Sequence, residues 1–194
     1  MKTIKTLALT LLVVLSAGTL SAQTTHTVNP SKSTLNWLAK KVTGQHDGTV
    51  DVKSGSLTVN GDKITGGDFV LDMTTIKVVD IKDAETNAKL VGHLNSDDFF
   101  SVTTHQEAIF KITNVVAKAG KDGATHEITG NLTIKGITNS ITFPAKVTLQ
   151  KSGFIASAKF SIDRTKWDVK YGSGMGDKAI YDDVEFNLYL TSAK

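Results

Sequence analysis

Apolar and polar residues alternate with a period of two along most of the chain, and this pattern organises the rest. Phe154, Ala156, Ala158, Phe160 and Ile162 fall on one side of an extended segment. Ile141, Phe143, Ala145, Val147 and Leu149 precede them, and Val184, Phe186, Leu188 and Leu190 follow. Ile128, Leu132 and Ile134 make a fourth segment, with Gly130 between them. Upstream, Leu35-Trp37-Ala39, Leu57-Val59 and Phe69-Leu71-Met73 obey the same rule. Such alternation predicts antiparallel strands, each with one wet and one dry face. Gly44, Ser54-Gly55 and Asn60-Gly61-Asp62 punctuate them as breaks and turns, the last with tight-hairpin chemistry. Pro144 falls inside a strand and predicts a bulge or bend. Short alternating segments of this kind are the signature of an all-β antiparallel barrel or sandwich. Several without long polar gaps favour closure into a barrel, which leaves no edge exposed.

One segment changes period. Ala84, Ala88 and Val91 recur at helical spacing and Leu90 and Leu94 lie four apart, which predicts a helix from Asp83 to Leu94 that frays near Gly92. It is too short to stand alone, so its apolar stripe docks on the sheet. The run from Gly92 to Phe100 ends it, and strand alternation resumes at Ala108. A lone helix followed by two carboxylates and two phenylalanines reads as a lid or plug on the barrel. The inward positions mix large residues (Phe143, Phe160, Phe186) with small ones (Gly130, Ala145, Ala156, Ala158). Small inward residues leave room for an apolar ligand, or they interdigitate with the large ones into a solid core.

The N-terminus stands apart from this pattern. Lys2 and Lys5, the apolar stretch Leu7 to Leu15 and the small residues from Ser16 to Ala22 have the layout of a secretory signal peptide cut after Ala22. Its apolar core is too short to span a bilayer. The expected organisation is a signal over 1–22 and one barrel domain over 23–194, in the periplasm or secreted, without stable membrane insertion. Removing Lys2 and Lys5 lowers the formal net charge from +3 to +1. That leaves no electrostatic footprint for nucleic acid. The chain has no cysteine, so disulfides and thiol chemistry are excluded.

Candidate chemistry is sparse. There is no Gly-x-Ser-x-Gly elbow and no Ser-His-acid set that the pattern brings together, and Asp97-Asp98 and Asp182-Asp183 read as turn aspartates, so an enzyme is not expected. His93, Asp97, Asp98 and His46 lack a metal-ligand spacing, and His93 reads as a helix-end histidine meeting the terminal carbonyls. No metal or cofactor is expected. Gly172, Gly174 and Gly176, between Lys170 and Lys178, lack a phosphate-loop context and read as a mobile loop at a pocket mouth. Arg164, the one arginine, admits two roles. Its guanidinium suits a polar or phosphate headgroup, or it forms a structural pair with Asp97, Asp98 or Asp163, the reading several nearby carboxylates favour.

Several pieces in order give the chain a resemblance. They are Trp37, Val42-x-Gly44-x-His46-x-Gly48, Ser54-Gly55, Gly67-x-Phe69, Asp72-Met73 and Ile76, then His93-Leu94-x-Ser96-x-Asp98-Phe99-Phe100. Ala108-x-Phe110-x-Ile112, Gly130-x-Leu132-Thr133-Ile134-Lys135-Gly136, Ile162-Asp163-Arg164-x-x-Trp167 and Tyr171-Gly172 complete the set. In order and spacing, from about Asn29 to Leu190, the chain resembles the YceI-like lipid-binding proteins, bacterial secreted lipocalin-like barrels. It departs mildly, with Trp167 where phenylalanine is frequent and Gln106 where proline is common.

The resemblance implies an extended all-β antiparallel barrel of about eight strands, closed on one side by a helix, with a long apolar pocket for polyisoprenoid chains, quinone tails, fatty acids or their amides. The expected pocket residues are Trp37, Phe69, Leu71, Phe110, Ile112, Leu132, Phe143, Ala158, Phe160, Trp167, Phe186 and Leu188. Phe99 and Phe100 cover them from the helix side, and Arg164 is the headgroup candidate. Two rivals stand beside a lipid carrier: a stress-protective filled barrel without a ligand, and an accessory that presents a quinone to a membrane electron-transfer protein. A homodimer is left open, with outward Tyr189 as a contact position.

Overall fold

The computed structural model describes residues 22–174, 176 and 179–193. The signal segment read over 1–22 therefore lies, but for Ala22, outside the described residues. Among those described, the strands are β1 (Gln23–Thr27), β2 (Thr34–Lys41), β3 (Gly44–Asn60), β4 (Lys63–Val78) and β5 (Glu107–Ala117). β6 (His126–Ile134), β7 (Ile137–Gln150), β8 (Gly153–Asp163) and β9 (Ile180–Thr191) complete them, with one α-helix, α1 (Ala84–Asn95).

The strand order is β1-β3-β2-β9-β8-β7-β6-β5-β4, and β4 returns to pair with β3. Strands β2 to β9 thus close an eight-stranded antiparallel barrel, and β1 is an extra strand. The N-terminal segment completes the wall: β1 pairs with residues 56–60 of β3, beyond the stretch β2 occupies. Next to it, Val28 bridges Ser192 and the Asn29 N–H donates to the Thr191 carbonyl at 2.8 Å. The β3–β4, β5–β6 and β7–β8 connections and β1 gather at one end, here the strand end. Helix α1, the β6–β7 turn and the β8–β9 connection gather at the other, the helix end.

Local chemistry explains most boundaries. The β3–β4 hairpin turns at Gly61-Asp62 with Asn60 opposite Lys63, and Gly61 takes φ 63°, which a glycine adopts without strain. Asp83 is the N-cap of α1, its side chain accepting from the Thr86 N–H at 2.9 Å. Asn87 Nδ2 donates to the Val78 and Ile81 carbonyls and ties the helix to the end of β4. The helix continues past Gly92 to Asn95, where Leu94 is buried.

Three local expectations are corrected. Ser54-Gly55 is not a turn but lies inside the long β3, where a register shift between Val52 and Ser54 absorbs it. Asp182-Asp183 belong to β9 rather than to a turn. Pro144 causes no shift against β6. Instead the β7–β8 ladder stops beside it, at Ala145 opposite Ala158. Proline has no N–H to continue a ladder, so residues 137–143 of β7 part from β8. The 3-10 turn Arg164–Trp167 fills that seam: Asn139 Nδ2 donates to the Lys166 carbonyl at 2.8 Å and Trp167 Nε1 to the Leu132 carbonyl at 2.9 Å.

Candidate functional site

The barrel encloses a cavity of about 210 Å³ that touches all eight of its strands. It reaches Leu57, Val147 and Phe154 toward the strand end and Leu94, Phe99, Phe100, Val169 and Ile180 at the helix end. From Ile180 to Leu190 along β9 is about 33 Å of strand at ~3.3 Å per residue, so the cavity is long and narrow. Its residues fall on the inner face because alternation puts every second side chain there.

Fourteen of the fifteen residues singled out from the sequence line this space. Trp37 comes from β2, Phe69 and Leu71 from β4, Phe110 and Ile112 from β5, Leu132 from β6, and Phe143 from β7. Ala158 and Phe160 come from β8, and Phe186 and Leu188 from β9. Phe99 and Phe100 line it from the segment after α1, and Arg164 from the 3-10 turn. Trp167 does not line it. With 1% of its surface exposed, it is packed in the β7–β8 seam, its N–H on the Leu132 carbonyl. Alternation could not distinguish a seam plug from a lining residue, because Trp167 lies outside any strand.

Phe143, Phe160 and Phe186 sit on consecutive strands and stack along the wall, with ring centroids 4.3 Å and 5.5 Å apart, rather than meeting across the axis. Phe110 extends this belt, 5.5 Å from Phe143. Glycines make space for these rings. A Cβ on Gly130 would fall 2.4 Å from Phe110 Cζ, one on Gly55 2.7 Å from Phe69 Cδ1, and one on Gly48 2.4 Å from Trp37 Cζ2. Gly130, read as a small residue leaving room for ligand, instead leaves room for Phe110. The sequence reading also passed over Val50, Val52, Met73, Ile76 and Leu94 as lining. Met73 was findable, since it shares the face of Phe69 and Leu71.

Arg164 is 5% exposed and its guanidinium is already engaged. Nη1 donates to the Val169 carbonyl at 2.7 Å, Nε to Tyr181 O at 3.2 Å, and Nη2 to Ile180 O at 3.2 Å and to Asp182 Oδ1 at 3.3 Å. Its carboxylate partner is thus Asp182, not Asp97, Asp98 or Asp163. Burial pulls the guanidinium below its ordinary value, opposed by the charges of Asp182 and Asp163. Ser173 Oγ also donates to Asp182, at 2.8 Å, so this cluster holds the β8–β9 connection over the cavity. Asp163 caps the 3-10 turn, and the hydrogen bond from Thr165 holds its carboxyl below the usual range.

His93 closes the helix end. Its Nε2 lies 3.0 Å from Asp98 Oδ2, and its ring sits edge-on to Phe99 at 4.9 Å and to Tyr171 at 4.5 Å. It therefore joins α1, the Phe99 cover and the glycine-containing connection, rather than meeting the terminal helix carbonyls as expected. In that connection the Ile180 N–H donates to the Gly172 carbonyl at 2.9 Å, while Met175, Asp177 and Lys178 lie outside the described residues. His46 pairs separately with Asp80 at 2.9 Å, and no group of three residues suited to a metal ion occurs among the described residues.

A wholly antiparallel closed barrel around an apolar axial cavity, with one helix over an end, defines a lipocalin-like class of fold. The family model of the YceI-like domain matches residues 26–192. The chain belongs to the YceI-like family. It is 32% identical over 143 residues to a UPF0312 protein of Vibrio parahaemolyticus, covering 73% of each chain. A YceI protein of Shigella flexneri is 36% identical over 78 residues, 36% of this chain and 39% of that one. The alignment with a UPF0312 protein of Pectobacterium carotovorum, 44% identical, spans 27% of the relative's length. Among solved structures, BcnA of Burkholderia cenocepacia superposes with a TM-score of 0.66 at 20% identity, over 86% of this chain and 99% of that one. A polyisoprenoid-binding domain of Saccharophagus degradans gives 0.62 at 13% identity, over 87% and 98%. Both share the fold.

Proposed function

We propose that this barrel binds a long-chain amphiphilic lipid (a polyisoprenoid, an isoprenoid quinone, a fatty acid or a fatty amide) in its axial cavity, as a carrier or sequestering protein and not as an enzyme. The observation that carries the reading is the long cavity with an almost wholly apolar wall. Apolar surface buried there stabilises a chain by roughly 25 cal/mol per Å². Such attraction has no direction and selects length and width over chemistry. The polyisoprenoid binding of the Saccharophagus domain supports the same class of ligand. We further propose export through a signal cleaved after Ala22, which places the barrel in the periplasm or outside the cell, where it meets lipids without inserting in a membrane.

The rival reading, a filled barrel without a ligand, draws support from the cavity's size, since drug-sized pockets run to about 300–1,000 Å³. Against it, the phenylalanines stack along the wall and leave the axis open. Native mass spectrometry of protein exported by its own signal and purified without detergent separates the two. A discrete added mass that extracts into organic solvent as one lipid is expected. An unliganded protein that also fails to take up polyprenols, quinones and fatty amides establishes the filled barrel.

A further inference from the structure

In the β6–β7 turn the backbone and the residue type conflict. Ile134 pairs with Ile137, so Lys135 and Gly136 alone make the turn, and both have positive φ, 53° and 75°. Glycine adopts this conformation freely and asparagine tolerates it, but a long side chain is strained there. Strain of this kind persists only where the surrounding structure holds it in place. Here the hold is at the far end of the side chain. Lys135 Nζ donates to the Asp97 carbonyl at 2.9 Å and to the Asp168 carbonyl at 3.3 Å. The two carbonyls belong to different closing elements. Asp97 lies two residues before the Phe99–Phe100 cover. Asp168 separates the seam plug Trp167 from Val169 of the cavity wall, each 1% exposed.

We propose that Lys135 is a latch on the helix end: its ammonium couples the Phe99–Phe100 cover to the Trp167 plug, so that losing it loosens both. A charged donor makes a stronger hydrogen bond to a carbonyl than a neutral one does, and this side chain is half-buried. The same hairpin grips each element a second time, which makes it the common anchor. Leu132 and Asn139 hold the plug, and a Cβ on Gly136 would lie 3.1 Å from His105 Cε1, in the loop that follows the cover. Lys170, and after it the charge of Lys135, also hold the Asp168 carboxyl below its usual range. The latch itself stands on this geometry. Its consequence, that a bound lipid leaves faster when the latch is broken, rests on the carrier reading.

Lys135→Asn separates the ammonium from the turn. Asparagine followed by glycine is a preferred pair in a two-residue hairpin turn, so the turn is kept and relaxed while the short side chain reaches neither carbonyl. Amide hydrogen exchange reads both elements: the Phe99 N–H rests on the Ser96 carbonyl at 3.1 Å and the Asp168 N–H on the Thr165 carbonyl at 3.0 Å. We expect the variant to keep or raise the unfolding midpoint, yet to exchange about fivefold faster at Phe99 and Phe100 and by a smaller factor at Asp168, which Asn139 and Trp167 also restrain. Lys135→Arg, which keeps a cationic donor, should restore most of the slow exchange. Protein preloaded with cis-parinaric acid, a naturally fluorescent fatty acid, should release it about fivefold faster in Lys135→Asn. Unchanged exchange, or a rise in only one of the two elements, overturns the latch. So does a uniform rise in every strand that tracks a fall in the midpoint, because Lys135 would then be a general stabilising contact. Faster exchange at both elements with unchanged release overturns the consequence for lipid and leaves the latch. Failure of the native protein to take up parinaric acid counts against the carrier reading, while exchange still decides the latch.

Discussion

The two ends of the barrel are closed by different means. At the strand end the backbone does the closing: β1 extends the β3 ladder, residues 27–29 bridge to residues 191–193 at and just beyond the end of β9, and Phe154, 1% exposed, packs beneath them. At the helix end the ladders part, β7 from β8 beside Pro144, and side chains close the gap. Trp167 plugs the seam, Arg164 and Asp182 hold the β8–β9 connection, and His93 joins Phe99 to Tyr171. A ladder opens only when many hydrogen bonds break together, whereas side-chain contacts separate a few at a time. The helix end is therefore the end expected to open more readily.

Truncating the largest buried ring at each end breaks this comparison most severely. Phe154→Ala and Trp167→Ala should each lower stability by about 3–5 kcal/mol, read by denaturant unfolding. They should differ in where the barrel loosens. Trp167→Ala should selectively raise hydrogen exchange in residues 137–143, whose β8-side partners are missing, and Phe154→Ala should not. Equal exchange in that stretch for both variants would remove the distinction between the ends. Filling the shared cavity comes next. Ala158 lies between Ala145 and Leu188 on neighbouring strands and is 6% exposed, so Ala158→Trp should abolish lipid uptake at an overpacking cost of about 1–3 kcal/mol. Retained uptake in a folded variant would show that the ligand does not occupy the axis.

The legibility of the chain follows the same division. Phe99, Phe100 and Arg164 are singled out by the run after the helix and by guanidinium chemistry, while the inward direction of the eleven lining residues on strands was readable because period-two alternation states it directly. Trp167 was not, since its role depends on a seam opened by Pro144 more than twenty positions earlier. The partner of Arg164 was missed for a similar reason: Asp182 reads as a turn residue until β9 is seen to begin at Ile180 and to bring it alongside. Glycines misled in the opposite direction. Gly130 in an inward position looks like free space, but only the fold shows that the Phe110 ring occupies it. Contacts along one strand are written in the sequence, while contacts between loops wait on the assembled barrel.

Acid should separate the ends without a mutation. The carboxyls held below their usual range gather at the helix end. Thr86 lowers Asp83, Thr165 lowers Asp163, and the Lys170 contact lowers Asp168. For Asp80, burial acts upward, but hydrogen bonds from His46 and the Asp47 N–H outweigh it. Groups with depressed folded values contribute stability that is complete above the unfolded carboxyl value, about 3.9, and lost as pH falls through the folded one. At the strand end, burial lowers His126, whose contribution is lost as pH falls below about 6.5. Exchange measured down a pH series should therefore show a small loosening around His126 first, and α1 with the 163–168 turn loosening only below about pH 4. Helix-end loosening already complete at pH 6 would assign its closure to something other than these carboxylates.

The finest test is His93→Ala. The variant removes two edge-on aromatic contacts and the Asp98 hydrogen bond from a side chain that is partly exposed. Aromatic pairs contribute about 0.5–1.5 kcal/mol each, less where solvent reaches them, so global stability should change by about 1 kcal/mol or less. The local effect should be larger than the global one. The segment after α1 is held by the Phe100 N–H on the Leu94 carbonyl and the Val102 N–H on the Asn95 carbonyl, at 3.1 and 2.9 Å. With His93 gone, those amides should exchange faster and bound lipid should dissociate faster, while amides of β1 and residues 56–60 of β3 keep their protection. Faster lipid release with unchanged Phe100 and Val102 exchange would place the exit elsewhere than under the Phe99–Phe100 cover. Unchanged release with faster exchange would show that the cover moves without gating the cavity, and the β7–β8 seam would then be the remaining weak point at that end.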